Sequence, residues 1–189
     1  EPVLLRRLRS VHEALDAASY DHALGGALAL AVHAEPRFTA DIDLNVIADA
    51  NEPEHLLASL PDDLEPMATA AAELRTKGQV RVEWANPRTP LDLFLPQHPT
   101  YHALVAQRAV RYAFPSFTIK VITATDLLVF KTLFARSNDF VDIEALGEHN
   151  AGDLDEAVDW VRQILGPDSA NEARLREAWL RGRDGASAR

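Results

Sequence analysis

The spacing of apolar residues changes along the chain, and this change separates a mixed first part from a helical last part. In residues 3–18, leucine and valine recur every three or four positions, which predicts an amphipathic helix. Four segments alternate residue by residue or are rich in β-branched residues, which predicts strands: residues 41–48, 79–85, 91–95 and 117–123. Further helices are predicted between them, at residues 27–34, 51–60, 68–76 and 101–112.

From residue 124 onward the pattern is helical, with segments at residues 127–136, 139–148, 154–165 and 171–181. Asn51 and either Thr125 or Asp126 are the expected helix caps, and residues 183–189 are expected to be frayed. The mixture predicts an α+β fold. We expect a core at residues 1–123 and a helical C-terminal region at residues 124–189, which either packs on the core or continues it as one domain.

Charge and composition narrow the function classes. The formal net charge is −10, so contact with nucleic acid would have to use local basic patches and not a global positive field. The chain has no cysteine, which excludes disulfides and thiolate chemistry. No apolar run is long enough to cross a bilayer, and the first ten residues have no signal-peptide core. We therefore expect no membrane contact and a cytoplasmic location.

The local basic patches that could contact nucleic acid are Arg6, Arg7 and Arg9; Arg108 and Arg111; and Arg174, Arg176, Arg181 and Arg183.

The first candidate for chemistry is the alternating segment from Asp41 to Val46. In a strand, Asp41, Asp43 and Asn45 point to one face, while the apolar residues between them point into a core. Carboxylates two residues apart are about 7 Å apart at the backbone, so their side chains can converge on one or two divalent cations. The alternative is a half-exposed strand with two solvated acids, although aspartate is disfavoured in strands.

A second candidate is Asp92, a lone carboxylate within the apolar segment at residues 90–95. A charge in such a strand is costly unless a partner neutralises it, and a metal ion would do so. The alternative is an aspartate at a strand end that reaches solvent or pairs with an arginine such as Arg88.

Two stretches of the sequence resemble one known group of proteins. Gly25-Gly26, followed by Pro36-Arg37-Phe38-Thr39-Ala40-Asp41-Ile42-Asp43-Leu44, is similar to the opening of the minimal nucleotidyltransferases of the DNA polymerase β-like superfamily, in particular the AbiEii and MenT-type toxin group. The resemblance implies a polymerase β-like core, with a mixed sheet flanked by helices. It implies a nucleotide-binding role for Gly25, Gly26 and Thr39. It also implies Mg²⁺ or Mn²⁺ as the cofactor, bound by Asp41, Asp43 and Asp92.

The second stretch resembles the group's pattern of a strand lysine, Lys120, and a helix lysine, Lys131, followed by Arg136-Ser137-Asn138-Asp139-Phe140-Val141-Asp142. The resemblance implies that both lysines contact the triphosphate, that Lys131 also takes part in catalysis, and that Asp142 is a catalytic or orienting acid. Without the resemblance, Lys131 would be a solvated helix residue. Asp139 and Asp142 would then be neighbours on an exposed helix face, with Arg136 and Asp139 pairing along the helix.

By resemblance, the protein is a metal-dependent nucleotidyltransferase toxin. It would transfer a nucleotide, with CTP or UTP favoured as the donor, to the 3′ end of tRNA and so block translation. A cognate antitoxin would be its protein partner. Two alternatives remain open. The same site would serve an enzyme that modifies a hydroxyl side chain of a protein, whereas a chain without catalysis would be a nucleotide-binding antitoxin module.

Overall fold

The alternating and periodic segments fold into six strands and nine helices in a computed structural model, which describes residues 1–187. The strands are β1 (His22–Leu24), β2 (Ile42–Val46), β3 (Gln79–Trp84), β4 (Thr89–Phe94), β5 (Val110–Ala113) and β6 (Thr118–Val121). The helices are α1 (Val3–Ala17), α2 (Gly26–His33), α3 (Pro53–Ala58), α4 (Ala70–Lys77), α5 (Pro99–Arg108), α6 (Ala124–Phe134), α7 (Ser137–Glu148), α8 (Leu154–Leu165) and α9 (Ala170–Ser187).

The chain forms two compact units, which are described separately below. The first unit consists of Glu1–Gly26 and Phe38–Val121, and it contains the whole sheet. The second unit consists of Ala27–Arg37 and the described chain from Ile122 onward, and it contains the C-terminal helices. No sequence pattern indicated that residues 27–37 belong with these helices.

The six strands of the first unit form one mixed sheet in the order β3-β4-β2-β1-β6-β5. Strand β2 runs parallel to β4 and antiparallel to β1, while β1 runs parallel to β6. The outer strands β3 and β5 are antiparallel to their neighbours. In β2, Ile42, Leu44 and Val46 are buried, as the alternating pattern predicts. The predicted α+β fold, with a mixed sheet and flanking helices, is confirmed.

Helix α1 buries Leu8, Val11 and Leu15 along one face, which is the amphipathic pattern predicted for this segment. Arg7 of the same helix is buried too. Its guanidinium donates hydrogen bonds to the backbone oxygen of Asn86, at 2.9 Å, and to the hydroxyl oxygen of Thr89. These bonds tie α1 to the β3–β4 hairpin. Arg7 therefore serves the fold and is not displayed as part of a basic surface patch.

Two strands differ from the prediction. The pattern does not predict β1, because three residues are too few to show a period, yet β1 lies between β2 and β6 in the sheet. The pattern predicts a helix through residue 112, but α5 ends at Arg108 and β5 follows. The antiparallel partner decides this segment: Val110 pairs with Val121, and Tyr112 pairs with Ile119. Branched and aromatic residues suit such pairing.

The helix caps also differ from the prediction. Helix α3 begins at Pro53 after Glu52, so Asn51 is not the cap. Instead, the backbone N–H of Asn51 donates to a carboxylate oxygen of Asp49 at 2.8 Å, which closes a turn before the helix. Asparagine and aspartate favour such local turns as strongly as they favour caps.

Helix α6 starts earlier than predicted. Its cap is Thr123, whose hydroxyl oxygen accepts a hydrogen bond from the backbone N–H of Asp126 at 3.1 Å, so neither Thr125 nor Asp126 is the cap. At the other end of the chain, α9 continues to Ser187, which makes residues 183–187 helical and not frayed. The last two residues of the predicted frayed segment, 188–189, lie outside the described residues.

In the second unit, α7 and α9 cross at two glycines. A Cβ atom on Gly147 would lie 2.0 Å from the backbone oxygen of Trp179, and one on Gly182 would lie 1.9 Å from that of Glu144. The two helices therefore approach each other backbone to backbone. No helix in the described part of the chain is both long and apolar enough to span a membrane.

Candidate active site

Three aspartates lie on one face of the sheet in the first unit. Strand register pairs Asp43 of β2 with Asp92 of β4, and Asp41 precedes β2 by one residue, two positions before Asp43. Neighbouring strands are about 4.8 Å apart, and residues paired across strands share a face. The register therefore brings together the three acids that the sequence analysis selected as metal ligands.

A cation that the sequence analysis did not identify sits among these acids. Arg81 of β3 pairs with Asp92 in the strand register. Its guanidinium donates two hydrogen bonds to the Asp92 carboxylate, at 2.8 and 2.6 Å, and Nη2 lies 3.6 Å from an oxygen of Asp41. The hydrogen bond to Asp92, together with the charges of the acids, raises the pKa of Arg81 above its ordinary value. The acids thus form an anionic cluster that already attracts a positive group.

The alternative partner considered for Asp92, Arg88, pairs elsewhere: its Nε lies 2.7 Å from Glu83. A sequence signal for Arg81 was present in the predicted hairpin. In a hairpin whose turn is centred between Asn86 and Pro87, residues at equal distances on either side of the turn pair with each other. Arg81 and Asp92 are such a pair. Asp92 is also not at a strand end, because β4 runs from Thr89 to Phe94.

The glycine pair lies directly against Asp43. The backbone N–H of Gly25 donates to the backbone oxygen of Asp43 at 2.8 Å. Gly26 has a φ of +56°, and a Cβ atom there would lie 1.8 Å from Oδ2 of Asp43 and 2.8 Å from its Cβ. Only glycine combines this left-handed backbone with this close approach. The position therefore needs glycine for the geometry of the Asp43 side chain.

We expect Gly26→Ala to lower the free energy of unfolding by at least about 1 kcal/mol, since an L-residue in the left-handed region costs about that much before any clash is counted. The displaced Asp43 carboxylate should also lower activity. Chemical denaturation measures the first effect. The matched control is Gly185→Ala on α9: apart from its chain neighbours and the adjacent backbone of α9, no described heavy atom lies within 4 Å of its Cβ position. This control should be neutral or stabilise by about 0.5–1 kcal/mol. Equal effects of the two substitutions would contradict the account.

Thr39 shapes the entry into β2. Its hydroxyl oxygen accepts a hydrogen bond from the backbone N–H of Asp41 at 3.1 Å. This short turn fixes the backbone immediately before the aspartate pair. The nucleotide-binding role that the resemblance implies for Thr39 remains a prediction.

Lys120 lies on the same face of the sheet as the acids. Leu24 pairs with Leu44 on one side and with Val121 on the other, so these three side chains share a face. Lys120 is one position away and shares the opposite face with Asn45 and Asp43. Its amine lies 2.6 Å from Asp21, and both side chains are partly exposed.

An open cavity adjoins Lys120. Its walls include Lys120, Asp21 and Asn45, with His102 and Ala106 from α5. Asn45 follows Asp43 by two residues in β2, so the face that carries the acids continues into this cavity.

The second unit contains the other predicted residues, in a buried ionic cluster. The amine of Lys131 lies 2.6 Å from Oδ2 of Asp142 and 3.2 Å from Oδ1 of Asp139. The guanidinium of Arg37 donates two hydrogen bonds to the carboxylate of the same Asp142, at 2.7 and 3.0 Å. Lys131, Asp139 and Asp142 are 4%, 1% and 1% exposed. The alternative of a solvated Lys131 and of two acids on an exposed helix face is therefore wrong, whereas the catalytic and nucleotide-binding roles implied by the resemblance stay predictions.

The pairing predicted for Arg136 and Asp139 is present and forms the cap of α7. The backbone N–H of Arg136 donates to Oδ2 of Asp139 at 3.0 Å, and its Nε donates to the same oxygen at 2.9 Å. Burial raises the pKa of Asp139, but the hydrogen bonds from Arg136 and the charge of Lys131 outweigh it, so the pKa lies below its ordinary value. Asp139 therefore stays ionised within the cluster.

Most of the C-terminal basic patch is engaged in contacts within its own unit. Arg176 pairs with Asp155 and Glu172, and Arg181 pairs with Glu144 and Glu177. The guanidinium of Arg174 stacks on Phe140 at 3.7 Å from the ring centre. Exposed pairs of this kind are weak and leave the arginines able to change partners.

The fold resembles that of solved structures of other proteins. An antigenic nucleotidyltransferase-like protein from Paracoccidioides brasiliensis superimposes with a TM-score of 0.54 at 19% sequence identity, covering 96% of this chain and 90% of that one. A weaker likeness, to JHP933 from Helicobacter pylori, has a TM-score of 0.47 at 13% identity and covers 98% and 92%. The first of these likenesses shows that the chain shares the fold of the Paracoccidioides brasiliensis protein.

Comparison with protein-family models gives no match, and comparison with curated proteins gives none either. At 19% identity, the structural likeness establishes the fold and leaves the activity to be argued from the site.

Proposed function

We propose that the protein is a metal-dependent nucleotidyltransferase whose active site is the acid face of the sheet. The observation that carries this proposal is the register of β2 and β4, which places Asp43 beside Asp92, with Asp41 two positions away on the same face. Three carboxylates at neighbouring positions are strongly repulsive unless a cation joins them. The nucleotidyltransferase-like fold supports the same assignment.

The donor set fits Mg²⁺ or Mn²⁺. These hard cations take carboxylate oxygens together with substrate phosphates, and the acid cluster offers only oxygen ligands. The approach of the Arg81 guanidinium to Asp92 and Asp41 shows that a positive group is accommodated at this position. Asp41, Asp43 and Asp92 would hold the metal, which when bound neutralises charge on the triphosphate and on the attacking oxygen.

The reaction we propose is the transfer of a nucleotidyl group. An acceptor hydroxyl attacks the α-phosphorus of a nucleoside triphosphate, its proton passes to solvent, and the bond to the bridging oxygen breaks to release pyrophosphate. Such a reaction depends on positioning and charge neutralisation more than on covalent catalysis by the protein. The nucleotide-binding role proposed for Gly25 and Gly26 rests on the sequence resemblance, and Lys120 would exchange Asp21 for the triphosphate.

The proposed roles of Lys131 and Asp142 rest on the sequence resemblance. In the second unit, Arg37 and Lys131 both hold Asp142, and Arg37 is four residues before Asp41 in the chain. These contacts give Lys131 and Asp142 a structural role within the second unit. A test of either residue must therefore separate a loss of stability from a loss of transfer.

The finer proposal is a toxin that adds a nucleotide, with CTP or UTP favoured, to the 3′ end of tRNA in the cytoplasm, with a cognate antitoxin as partner. It rests on the motifs around Asp41 and between Lys120 and Asp142 that resemble the AbiEii and MenT-type group. Arg176 and Arg181 of α9 are partly exposed, and an RNA backbone would compete for them with Asp155 and Glu144.

The test is to incubate the protein and Mg²⁺ with each of the four triphosphates, labelled on the α-phosphate, together with total cell RNA and cell protein. We expect label in the tRNA fraction with a pyrimidine donor, removable by treatment that hydrolyses the terminal phosphodiester. Label in protein would favour the alternative of side-chain modification. No label in either fraction with any donor would favour a non-catalytic nucleotide-binding module and would contradict the proposed activity.

A further inference from the structure

Two histidine rings meet at the junction of α1 and β1. Nδ1 of His12 lies 2.8 Å from Nε2 of His22, and the ring centroids are 5.0 Å apart. Asp16 follows His12 by one helical turn, and its carboxylate oxygens lie 3.7 Å from Nε2 of His12 and 4.0 Å from Nδ1 of His22. One ligand atom of each of the three residues lies within 4.8 Å of the others.

The hydrogen bonds of His22 define its tautomer. Its Nδ1 lies 2.8 Å from the backbone oxygen of Tyr20, which accepts only, so Nδ1 carries the hydrogen. The lone pair of Nε2 therefore points at His12. A histidine whose second nitrogen donates to a backbone carbonyl is the usual arrangement for a metal ligand, because it fixes both the tautomer and the ring orientation.

The facing nitrogen of His12 has two possible uses. With a hydrogen on Nδ1, His12 donates to His22. With its hydrogen on Nε2, the two lone pairs face each other and require a cation between them, while Nε2–H faces Asp16. A tetrahedral ion with metal–nitrogen bonds of ~2.05 Å needs ligand nitrogens about 3.3 Å apart, so the rings would separate by about half an ångström.

The surroundings suit a bound ion with access from solvent. The side chain of His22 is 2% exposed and that of His12 is 13% exposed, whereas Asp16 is 62% exposed and can turn to supply a third ligand. Burial lowers the pKa of His22, which keeps its ring neutral and able to bind metal at neutral pH.

This cluster is separate from the acid face of the sheet. His22 pairs with Val46, whereas its neighbour Ala23 pairs with Asn45, which shares a face with Asp43. Because successive side chains alternate between faces, His22 lies on the face opposite to Asp43. The donor chemistry differs as well, since imidazole nitrogens select transition metals and all-carboxylate sites select magnesium or manganese.

We propose that His12, Asp16 and His22 form a binding site for one divalent transition-metal ion, with Zn²⁺ the best match to two imidazoles and a carboxylate. Water completes the coordination. The ion clips the C-terminal half of α1 to β1, the strand that lies beside β2. This site does not depend on the proposed transferase activity.

The probe is Co²⁺, which reports coordination through its visible absorption, followed by competition with Zn²⁺. Protein stripped with a chelator should take up one equivalent of Co²⁺ with the intense bands of four- or five-coordination, and Zn²⁺ should displace it. Both metals should raise the thermal midpoint, since a ligand that binds only the native state stabilises it. Absence of these bands in the wild type at saturating Co²⁺ would overturn the proposal.

Variants separate this site from other ones. His12→Gln and Asp16→Asn should weaken binding by more than the roughly 10- to 100-fold that loss of an outer partner costs. The matched control is His55→Gln, because His55 lies 3.6 Å from Glu52 but has no second histidine in this pairing. It should give the same Co²⁺ bands as the wild type, and so should Asp43→Asn, because these bands report the four- or five-coordinate histidine site and not the acid face. Unchanged affinity in His12→Gln, or loss of the bands only in Asp43→Asn, would overturn the proposal.

Discussion

Replacing Asp41 or Asp43 by alanine should abolish nucleotide transfer while leaving the fold intact. Stabilisation by a bound metal is worth several kcal/mol in the transition state, and each ~1.36 kcal/mol is tenfold in rate, so we expect a loss of about three orders of magnitude. Removing Asp41 leaves Arg81 paired with Asp92, and it relieves repulsion within the acid cluster. The thermal midpoint of Asp41→Ala without metal should therefore not fall. Label transfer from the donor triphosphate measures the activity.

The matched control for these variants is Asp49→Ala. Asp49 follows the end of β2, and its carboxylate accepts hydrogen bonds only in an exposed turn, from the backbone and the side chain of Asn51. Transfer by this variant should stay close to that of the wild type. If Asp41→Ala or Asp43→Ala retained transfer comparable to Asp49→Ala, the acid face would not be the active site.

Replacing Lys131 by methionine should destabilise the protein strongly. The amine of Lys131 is held between Asp139 and Asp142 in a nearly dry environment. Without Lys131, Asp142 keeps its hydrogen bonds from Arg37 and Asp139 keeps those from Arg136, so the loss is that of the buried hydrogen bonds to the amine, about 1–3 kcal/mol. Asp142→Asn should act in the same direction, because it leaves Arg37 and Lys131 without their shared carboxylate. Urea denaturation monitored by circular dichroism measures the free energy of unfolding.

Lys120→Met provides a matched control for the buried lysine. Lys120 lies 2.6 Å from Asp21, the same distance that joins Lys131 to Asp142, but its side chain is 37% exposed. An exposed pair of this kind contributes about 0–1 kcal/mol. We expect a small loss of stability for Lys120→Met and, if Lys120 contacts the triphosphate, a loss of transfer. A Lys131→Met variant no less stable than Lys120→Met would contradict the buried ionic cluster.

Lys131→Met can also show whether Lys131 contributes to nucleotide transfer in addition to stabilising the fold. Transfer by Lys131→Met should be measured well below its own unfolding midpoint, where the variant is fully folded. A folded variant that still transfers at the wild-type rate would limit Lys131 to a structural role. A folded variant with reduced transfer would support the role that the sequence resemblance implies.

The placement of the acids could be predicted from the sequence because local rules control it. Alternation in β2 is a property of five consecutive residues, so the shared face of Asp41 and Asp43 follows from the pattern alone. The neighbouring position of Asp92 depends on parallel pairing between β2 and β4, which only the chain order of the resembling family implied. Arg81 was missed although the predicted hairpin turn defines its partner.

Long-range packing explains what the sequence did not predict. Helical spacing makes Asp139 and Asp142 neighbours, but whether that helix face is exposed depends on what covers it. Lys131 of α6 and Arg37, neither of which belongs to that helix, neutralise the carboxylate of Asp142 and allow this helix face to be buried. The histidine cluster has the same origin, since β1 is too short to show a period and only its position in the sheet brings His22 to His12.

The most direct test of the proposed site is calorimetric titration of the protein with a non-hydrolysable triphosphate, with and without Mg²⁺. Binding should require the metal, because the acid face repels the free triphosphate, and Asp43→Asn should abolish it while Asp49→Ala should not. This is the result that a carboxylate-held metal and nucleotide predict. Binding that is equally strong without Mg²⁺, or unchanged in Asp43→Asn, would contradict the assignment of the acid face as the active site.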